Sequence, residues 1–164
     1  AAIYINVIDH LSARIPAMSR KNESRLNSAI ELLYFGYRAF TALPDEILAQ
    51  RSLARVHHRI LYFVARDPGL SVNQLLAKLG VSKQALNAPL RQLQEIGLVS
   101  ARLSEQDRRV KCLTLTEEGK NLEAGLSASQ HKLLNSIFNI CGQEAETNWR
   151  MVMTALANSQ KGRK

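Results

Sequence analysis

Apolar residues recur at helical spacing in the first third of the chain. One stripe predicts a helix over residues 25–42, which we expect Pro44 to end, and its members are Leu26, Ile30, Leu33, Tyr37 and Phe40. A second helix is predicted in "SLARVHHRILYFVARDPG", with turn residues 67–69 at its end. Its expected inward residues are Leu53, Val56, Ile60, Leu61 and Val64. An earlier short helix is indicated by Ile3, Val7 and Leu11.

The C-terminal third is also helical in its pattern. A long helix ended by Gly142 is predicted from Leu122, Leu126, Leu133, Ile137 and Ile140. A last helix is predicted from Trp149, Val152, Met153 and Leu156. A small middle domain offers these terminal helices little surface, so their apolar faces need each other or a second chain. We therefore expect residues 1–50 and 117–164 to be dimerisation segments around a domain of residues 51–116.

The middle domain carries the signals of a helix-turn-helix. Ser71 followed by Gln74 is a capping-box pattern that begins a short helix, and Gly80 ends that helix. Ser82 then offers a second N-cap. Two helices joined by a glycine-containing turn predict that the second helix enters the major groove of DNA.

The second helix, over residues 83–96, has two distinct faces. Leu86, Leu90 and Leu93 fall on one side, whereas Gln84, Asn87, Ala88 and Arg91 fall on the other. Asn and Gln suit hydrogen bonds to adenine, and Arg suits guanine. An ordinary amphipathic helix with a solvated polar face explains this helix, taken alone, equally well.

The residues that follow favour DNA binding. A turn at Gly97 precedes a strand with Leu98, Val99 and Ala101, a polar loop over residues 104–109, and a returning strand with Val110, Cys112, Leu113 and Leu115. Thr116 is expected to cap the next helix, whose first turn holds two glutamates. A hairpin directly after a helix-turn-helix predicts a winged helix, so the fold class is mainly α with a small β-hairpin wing. Arginine at the tip of such a wing can enter a narrow minor groove.

Charge and composition agree with a nucleic-acid partner. The net charge is +8, and residues 71–111 hold seven Lys and Arg against three Asp and Glu. The sequence contains no apolar run long enough for a membrane span, and its first residues are unlike a signal peptide, so we expect a cytoplasmic protein. Cys112 and Cys141 form no disulfide framework and are expected to be packing residues.

The segment "DRRVKCLTLTEEGK" resembles the wing of the MarR-type (multiple antibiotic resistance regulator) transcription factors, and the order of elements along nearly the whole chain is similar to that family. The resemblance implies that Asp107 orients Arg109, that Arg109 probes the minor groove, and that Arg108 is a more variable neighbour. It also implies a homodimer on a pseudo-palindromic operator in double-stranded DNA, usually a repressor, which a small aromatic or phenolic effector releases.

Pro89 departs from that family pattern. It cannot donate to the carbonyl of Ala85, at a cost of about 3 kcal/mol inside a helix. Because Leu90, Leu93 and Ile96 continue the inward stripe, we expect the helix to kink rather than end. DNA binding is then retained with altered contacts: Gln84 and Asn87 precede the kink, and Arg91 follows it.

Two groups of candidate site residues follow. The predicted DNA-binding residues are Ser82, Lys83, Gln84, Asn87, Arg91, Asp107, Arg108, Arg109 and Lys111. By the resemblance, candidates for an effector pocket are Tyr37, Arg38 and His58, although the pattern itself favours a core role for Tyr37 and a solvated Arg38. His57 and His58 diverge by about 100° on a helix, so we expect a solvated or hydrogen-bonded pair and no metal site.

Other function classes have weaker support. The sequence lacks the GxSxG, GxxxxGK, GxGxxG and HExxH motifs, so we expect neither an enzyme nor a cofactor. One alternative is a winged-helix protein-interaction module that has lost operator recognition through Ala88-Pro89. Another is a nonspecific DNA binder, whose affinity would depend steeply on salt and little on sequence.

Overall fold

The computed structural model describes residues 19–103, 108 and 110–159. Contacts divide the chain into two compact units, residues 1–39 and 40–164. The predicted short helix at Ile3, Val7 and Leu11 lies outside the described residues, as do Asp107 and Arg109 of the wing tip. Within the described residues, no helix combines the length and apolar character that would let it cross a membrane.

The order of elements is that of a winged helix with a helix before it and two after it. The helices are α1 (Arg20–Ala49), α2 (Arg55–Arg66), α3 (Val72–Leu79), α4 (Lys83–Glu95), α5 (Glu117–Cys141) and α6 (Gln143–Asn158). The strands are β1 (Leu70–Ser71), β2 (Val99–Leu103) and β3 (Lys111–Leu115). The predicted fold class, mainly α with a small β wing, is confirmed.

Helix α1 continues through Pro44, so the prediction that Pro44 ends it was wrong. Proline removes one hydrogen bond of the helix and crowds the preceding turn. Here, however, the turn around Pro44 is buried together with Thr41 and Leu48, and Leu48 is fully buried. Burial of these side chains offsets the cost of the proline, which a local pattern cannot anticipate.

The core lies where α2, α4, α5 and the sheet meet. Ile60, Leu61 and Val64 of α2 are fully buried, as predicted from their spacing. Other elements contribute fully buried leucines to the same cluster, namely Leu75, Leu86, Leu93, Leu98, Leu113 and Leu126. The inward face of α4 is thus confirmed at Leu86, Leu90 and Leu93. The expectation fails at Ile96, which lies just beyond the helix and is 44% exposed.

The sheet has a strand that the pattern did not predict. Strands pair in the antiparallel order β1-β3-β2, with Leu70 of β1 opposite Leu113 and Ala101 of β2 opposite the same residue. With only two residues, β1 is too short to show alternation. The predicted hairpin is confirmed, except that Leu98 lies before β2 and Val110 before β3 rather than within them.

The first turn of α5 fits closely against the base of the wing. Thr116 caps α5 by accepting from the Gly119 amide at 3.1 Å, and its hydroxyl donates to the Gly97 carbonyl at 2.7 Å. The Thr116 amide also donates to the Leu98 carbonyl at 3.1 Å. A Cβ at Gly119 would lie 2.0 Å from that carbonyl oxygen, so only glycine permits this approach.

A polar cluster joins α2 to the same half of α5. The Arg66 guanidinium donates to Glu123 Oε1 at 2.6 Å and to the Ser127 hydroxyl at 3.1 Å, while Ser127 donates to Glu123. The Glu123 side chain is 10% exposed, whereas that of Arg66 is 37% exposed and covers the Tyr62 ring. The buried carboxylate is therefore paired as a buried charge must be.

Apolar side chains remain exposed on the terminal helices. On α1 they include Ile30 at 65% and Leu33 at 50% exposure. Beyond the middle of α5 they include Ile140 at 80%, and α6 buries no residue at all. The interpretation of Cys141 as a packing residue fails within the single chain, because Cys141 is exposed; Cys112 is half-buried.

Candidate nucleic-acid interface

Two N-caps position the helix that presents the candidate DNA-binding face. Ser71 and Gln74 form the predicted capping box of α3, with bonds of 3.2 and 2.8 Å. Gly80 ends α3 in the left-handed conformation, φ 64°, which reverses the chain at little cost for glycine. Ser82 then caps α4 by accepting from the Ala85 amide at 3.2 Å. Since the Ser82 hydroxyl already serves α4, any contact with DNA there would be additional.

The polar face of α4 lines an open cleft of about 780 Å³. The cleft brings together four of the predicted residues of α4, namely Lys83, Gln84, Asn87 and Arg91. Across from them lie Lys111 of β3 and the beginning of α3, including Asn73. The four residues of α4 and Lys111 are exposed, so amide and cationic groups are available to a ligand in this cleft. Sequence reasoning missed Asn73, Ser71 and Gln94 as lining residues, because their position depends on how α3 and the wing pack.

Arg91 is held only weakly by its own helix. Its Nε lies 3.6 Å from Glu95 Oε1, and the two side chains are 75% and 67% exposed. Exposed pairs of this kind contribute about 0–1 kcal/mol. Arg91 can therefore exchange Glu95 for a phosphate or a guanine edge at small cost.

Pro89 lies inside a continuous α4 and is half-buried at the edge of its apolar face. The helix does not end there, as expected, because Leu90 and Leu93 beyond the proline are buried in the core. Asn87 and Arg91, on either side of Pro89 in sequence, both line the cleft. The proline thus leaves both chemical groups on the candidate interface.

The wing contributes two described candidate residues, one in the loop at its tip and one in the last strand pair before that loop. Arg108 is exposed in a turn, and Lys111 lies opposite Leu103 in the hairpin register. The predicted pair of Asp107 and Arg109 lies outside the described residues, so its proposed contact with the minor groove stays a prediction.

Comparison with known proteins identifies the family of this chain. A model of the MarR family matches residues 52–110, the segment that contains α2, α3, α4 and the first wing strand, β2. The HTH-type transcriptional regulator PetP of Rhodobacter capsulatus is 42% identical over 134 residues, which cover 82% of this chain and 81% of PetP.

This chain belongs to the MarR family.

Solved structures show the same fold at low sequence identity. Streptococcus pneumoniae FabT in complex with DNA superposes with a TM-score of 0.74 at 18% identity, covering 87% of this chain and 99% of FabT. Staphylococcus aureus MarR in complex with salicylate and kanamycin gives 0.71 at 21% identity, covering 89% of this chain and 96% of that one. Transcriptional regulation through a helix-turn-helix is the function of this MarR-family chain, as it is of PetP.

The two histidines of α2 differ sharply in surroundings. His57 is 6% exposed and hydrogen-bonded through both ring nitrogens, to the Ala54 amide and to Gln92. His58 is half-buried, and within the described residues its buried Nε2 has no hydrogen-bond partner. Burial lowers the pKa of His58 below 6.5, although the carboxylates of Glu123 and Asp45 act in the opposite direction. The expected hydrogen-bonded histidine is found at position 57, whereas the half-buried His58 has a buried Nε2.

The other effector candidates lie in a different part of the chain. Tyr37 and Arg38 belong to α1 in the first unit, whereas His58 belongs to the second. Tyr37 is 40% exposed, which is more than a core residue would show. Within the described residues, no group of three or more His, Cys, Asp or Glu side chains could hold a metal ion.

Proposed function

We propose that this MarR-family chain is a ligand-responsive repressor that binds a pseudo-palindromic operator as a homodimer. The observation that carries the proposal is the cleft in which the polar face of α4 meets Lys111 of the wing. This arrangement combines groups for base contacts with groups for phosphate contacts, which sequence-specific DNA binding requires.

The residues divide between these two tasks. Lys83 and Lys111 supply cations for the phosphates and so contribute affinity without sequence information. Gln84 and Asn87 supply amides that suit adenine, and Arg91 suits guanine once it leaves Glu95. Ser82, Asp107, Arg108 and Arg109 complete the proposed interface.

The exposed apolar side chains of the terminal helices support the homodimer. Ile30 of α1, Ile140 of α5 and Val152 of α6 each leave more than half of their surface exposed. Apolar patches on this scale mark surfaces that associate. A two-fold dimer would present two copies of α4 to half-sites about one helical turn apart, which accounts for a pseudo-palindromic operator.

We also propose that a small aromatic or phenolic effector binds this chain, with His58 of the second unit and Tyr37 and Arg38 of the first as separate candidate contacts. The buried Nε2 of His58, which has no partner among the residues that the structure describes, can accept a hydrogen bond from a phenol. Salicylate, present in the S. aureus MarR complex, is a suitable probe. If the proposal is correct, salicylate will weaken DNA binding by the wild-type protein, and His58→Ala will reduce that response without altering binding in its absence.

DNA binding is tested by fluorescence anisotropy with a duplex that the wild-type protein selects from a randomised library and a scrambled duplex of equal length. We expect a preference of about 10³ or more for the selected duplex.

Asn87→Ala should reduce this preference, because each base contact contributes about 1–3 kcal/mol of discrimination. Lys83→Ala should weaken binding to both duplexes and lower the salt slope by about one. Lys132→Ala, an exposed lysine of α5 away from the cleft, is the matched control.

The alternatives predict different results. Equal, salt-dependent binding to both duplexes would indicate a nonspecific DNA binder. Failure to bind either duplex would favour a protein-interaction module. Both results contradict the proposed operator recognition.

A further inference from the structure

The turn between α1 and α2 is connected to α4 by a chain of three hydrogen bonds. The Ala54 amide donates to His57 Nδ1 at 2.9 Å, and His57 Nε2 lies 2.9 Å from Gln92 Oε1. Gln92 Nε2 then donates to the Ser52 carbonyl at 3.2 Å. The chain begins and ends in the turn and crosses α4 at one residue, Gln92.

The direction of each hydrogen bond in this chain determines the direction of the next one. A backbone amide can only donate, so His57 Nδ1 must carry the lone pair and Nε2 the proton. The Gln92 oxygen must then accept from Nε2, which leaves the Gln92 amino group directed at the Ser52 carbonyl. Only one tautomer of His57 and one orientation of the Gln92 amide satisfy all the partners. Removal of either side chain therefore leaves a polar group without its partner in a region where His57 is 6% exposed.

Gln92 bonds α4 to the turn within one helical turn of Pro89, where α4 lacks one of its own backbone hydrogen bonds. Pro89, three residues earlier, cannot donate to the Ala85 carbonyl. Gln92 is half-buried and is not one of the residues that line the cleft, so its polar group acts on the flank of α4. On a helix, Gln92 lies about 100° from Arg91, which does line the cleft.

The turn that receives Gln92 is itself connected to the neighbouring helices. Among the described non-glycine residues, Ser52 alone has a positive φ, 55°, a conformation that costs about 1–2 kcal/mol. Arg51 donates to Glu118 of α5 at 2.7 Å, and Arg55 of α2 is paired with Asp45 of α1 at 2.7 Å. Movement of α4 relative to α1, α2 or α5 would thus have to break the bonds of this turn.

We propose that His57 and Gln92 are positioning residues, which set the orientation of α4 and thereby its choice of bases without touching DNA. This inference rests on the proposed function, because it explains how that interface discriminates between sequences. It also accounts for a proline in a DNA-binding helix, because the flank of the helix supplies the restraint that its own hydrogen bonds lack.

The test compares Gln92→Met, which keeps the length of the side chain and removes its hydrogen bonds, with Gln50→Met. Gln50 is exposed two residues before Ser52, so its substitution is a matched control. Dissociation constants are measured for the selected and scrambled duplexes at several salt concentrations, at a temperature where circular dichroism shows each variant folded. We expect Gln92→Met to lower the preference for the selected duplex by about tenfold, equivalent to 1.4 kcal/mol. The affinity for the scrambled duplex and the salt slope should not change.

The partner residue gives a second comparison. His57→Leu should lower the preference to a similar degree, and the double variant should be no worse than either single one, because both substitutions break the same chain. An unchanged preference in Gln92→Met would overturn the inference, as would a lower salt slope, which would indicate a direct phosphate contact. Additive effects of the two substitutions would also contradict it.

Hydrogen exchange separates this inference from the proposed function. Without DNA, amides of residues 83–95 should exchange faster in Gln92→Met than in wild type and in Gln50→Met. If the wild-type protein selects no duplex, the proposed function fails, and faster exchange would still show that Gln92 restrains α4. If exchange is unchanged, the positioning role fails even when operator recognition is confirmed.

Discussion

The two halves of α5 have similar sequence patterns and opposite surroundings. In the first half, Gly119, Leu122 and Leu126 are buried against α2 and the base of the wing. In the second half, Ile137 and Ile140 continue the same spacing but are 45% and 80% exposed. One apolar stripe thus extends from a surface that the chain covers itself to one that it leaves open. The difference teaches that spacing predicts which face of a helix will be buried and not what will bury it.

The largest effect is expected where α5 approaches the wing most closely. Gly119→Ala would place a Cβ 2.0 Å from the Leu98 carbonyl oxygen, and backbone on both sides would have to move. We expect a loss of about 3 kcal/mol or more in the free energy of unfolding, measured by urea denaturation. Gly125→Ala, on the same helix with open space around it, should instead gain up to about 1 kcal/mol. Equal effects of the two substitutions would contradict the close approach.

The second-largest loss of unfolding free energy is expected in the polar cluster. Substitution of Arg66 should cost more than substitution of Glu123. Arg66→Met leaves the Glu123 carboxylate, which is 10% exposed, without its cation, so we expect a loss of about 2–3 kcal/mol. Glu123→Gln keeps an acceptor for an Arg66 that already reaches solvent, and should cost about 1 kcal/mol. Urea denaturation of both variants tests this order, and a greater loss in Glu123→Gln would show that Arg66 is the residue that depends on the pair.

Substitutions in the exposed second half of α5 should weaken dimer association rather than the folding of the single chain. If a second copy covers it, Ile140→Asn should weaken the dimer by about tenfold or more, because burying an isoleucine contributes about 1.5–3 kcal/mol and a two-fold interface loses it twice. Sedimentation equilibrium measures this change, with Lys132→Asn as the control on the same helix. A monomeric wild-type protein, or an unchanged dimer in Ile140→Asn, would contradict the proposed role of this face.

The smallest effect is expected in the pH dependence of the free energy of unfolding. Because burial lowers the pKa of His58 in the folded chain, the unfolded chain binds this proton more readily. The contribution of neutral His58 to stability is therefore complete above pH 6.5 and is lost as the pH falls from there through the lower pKa of the folded chain. His58→Gln should flatten the fall in unfolding free energy as the pH is lowered from 6.5. If the two proteins lose stability in parallel over this range, His58 does not titrate as proposed.

Much of the winged helix could be predicted because its signals are local. The capping box of Ser71 and Gln74, the left-handed Gly80 and the cap at Ser82 depend on residues within four positions of each other. The inward leucines of α4 follow from helical spacing alone. The polar face of α4 was predicted for the same reason, since whatever lies opposite a buried stripe is exposed.

Predictions failed where a distant contact outweighed the local preference. Pro44 does not end α1, because Leu48 and the turn around Pro44 are buried. Strand β1 exists because Leu70 pairs with Leu113, more than forty residues later in the chain. The pattern also grouped His57 with His58, although only His57 meets Gln92.

By itself, the sequence determined the order of the helices and of the two wing strands, the basic middle segment and the polar residues of α4 that line the cleft, apart from Gln94. These properties depend on backbone preference and on the period of the side chains, both of which act over a few residues. Only the tertiary structure decided that Gly119 must be glycine, that Glu123 is buried with Arg66, and that Gln92 joins α4 to the turn at Ser52. Each of those depends on two segments meeting in space, and their approach is set by the packing of the whole core.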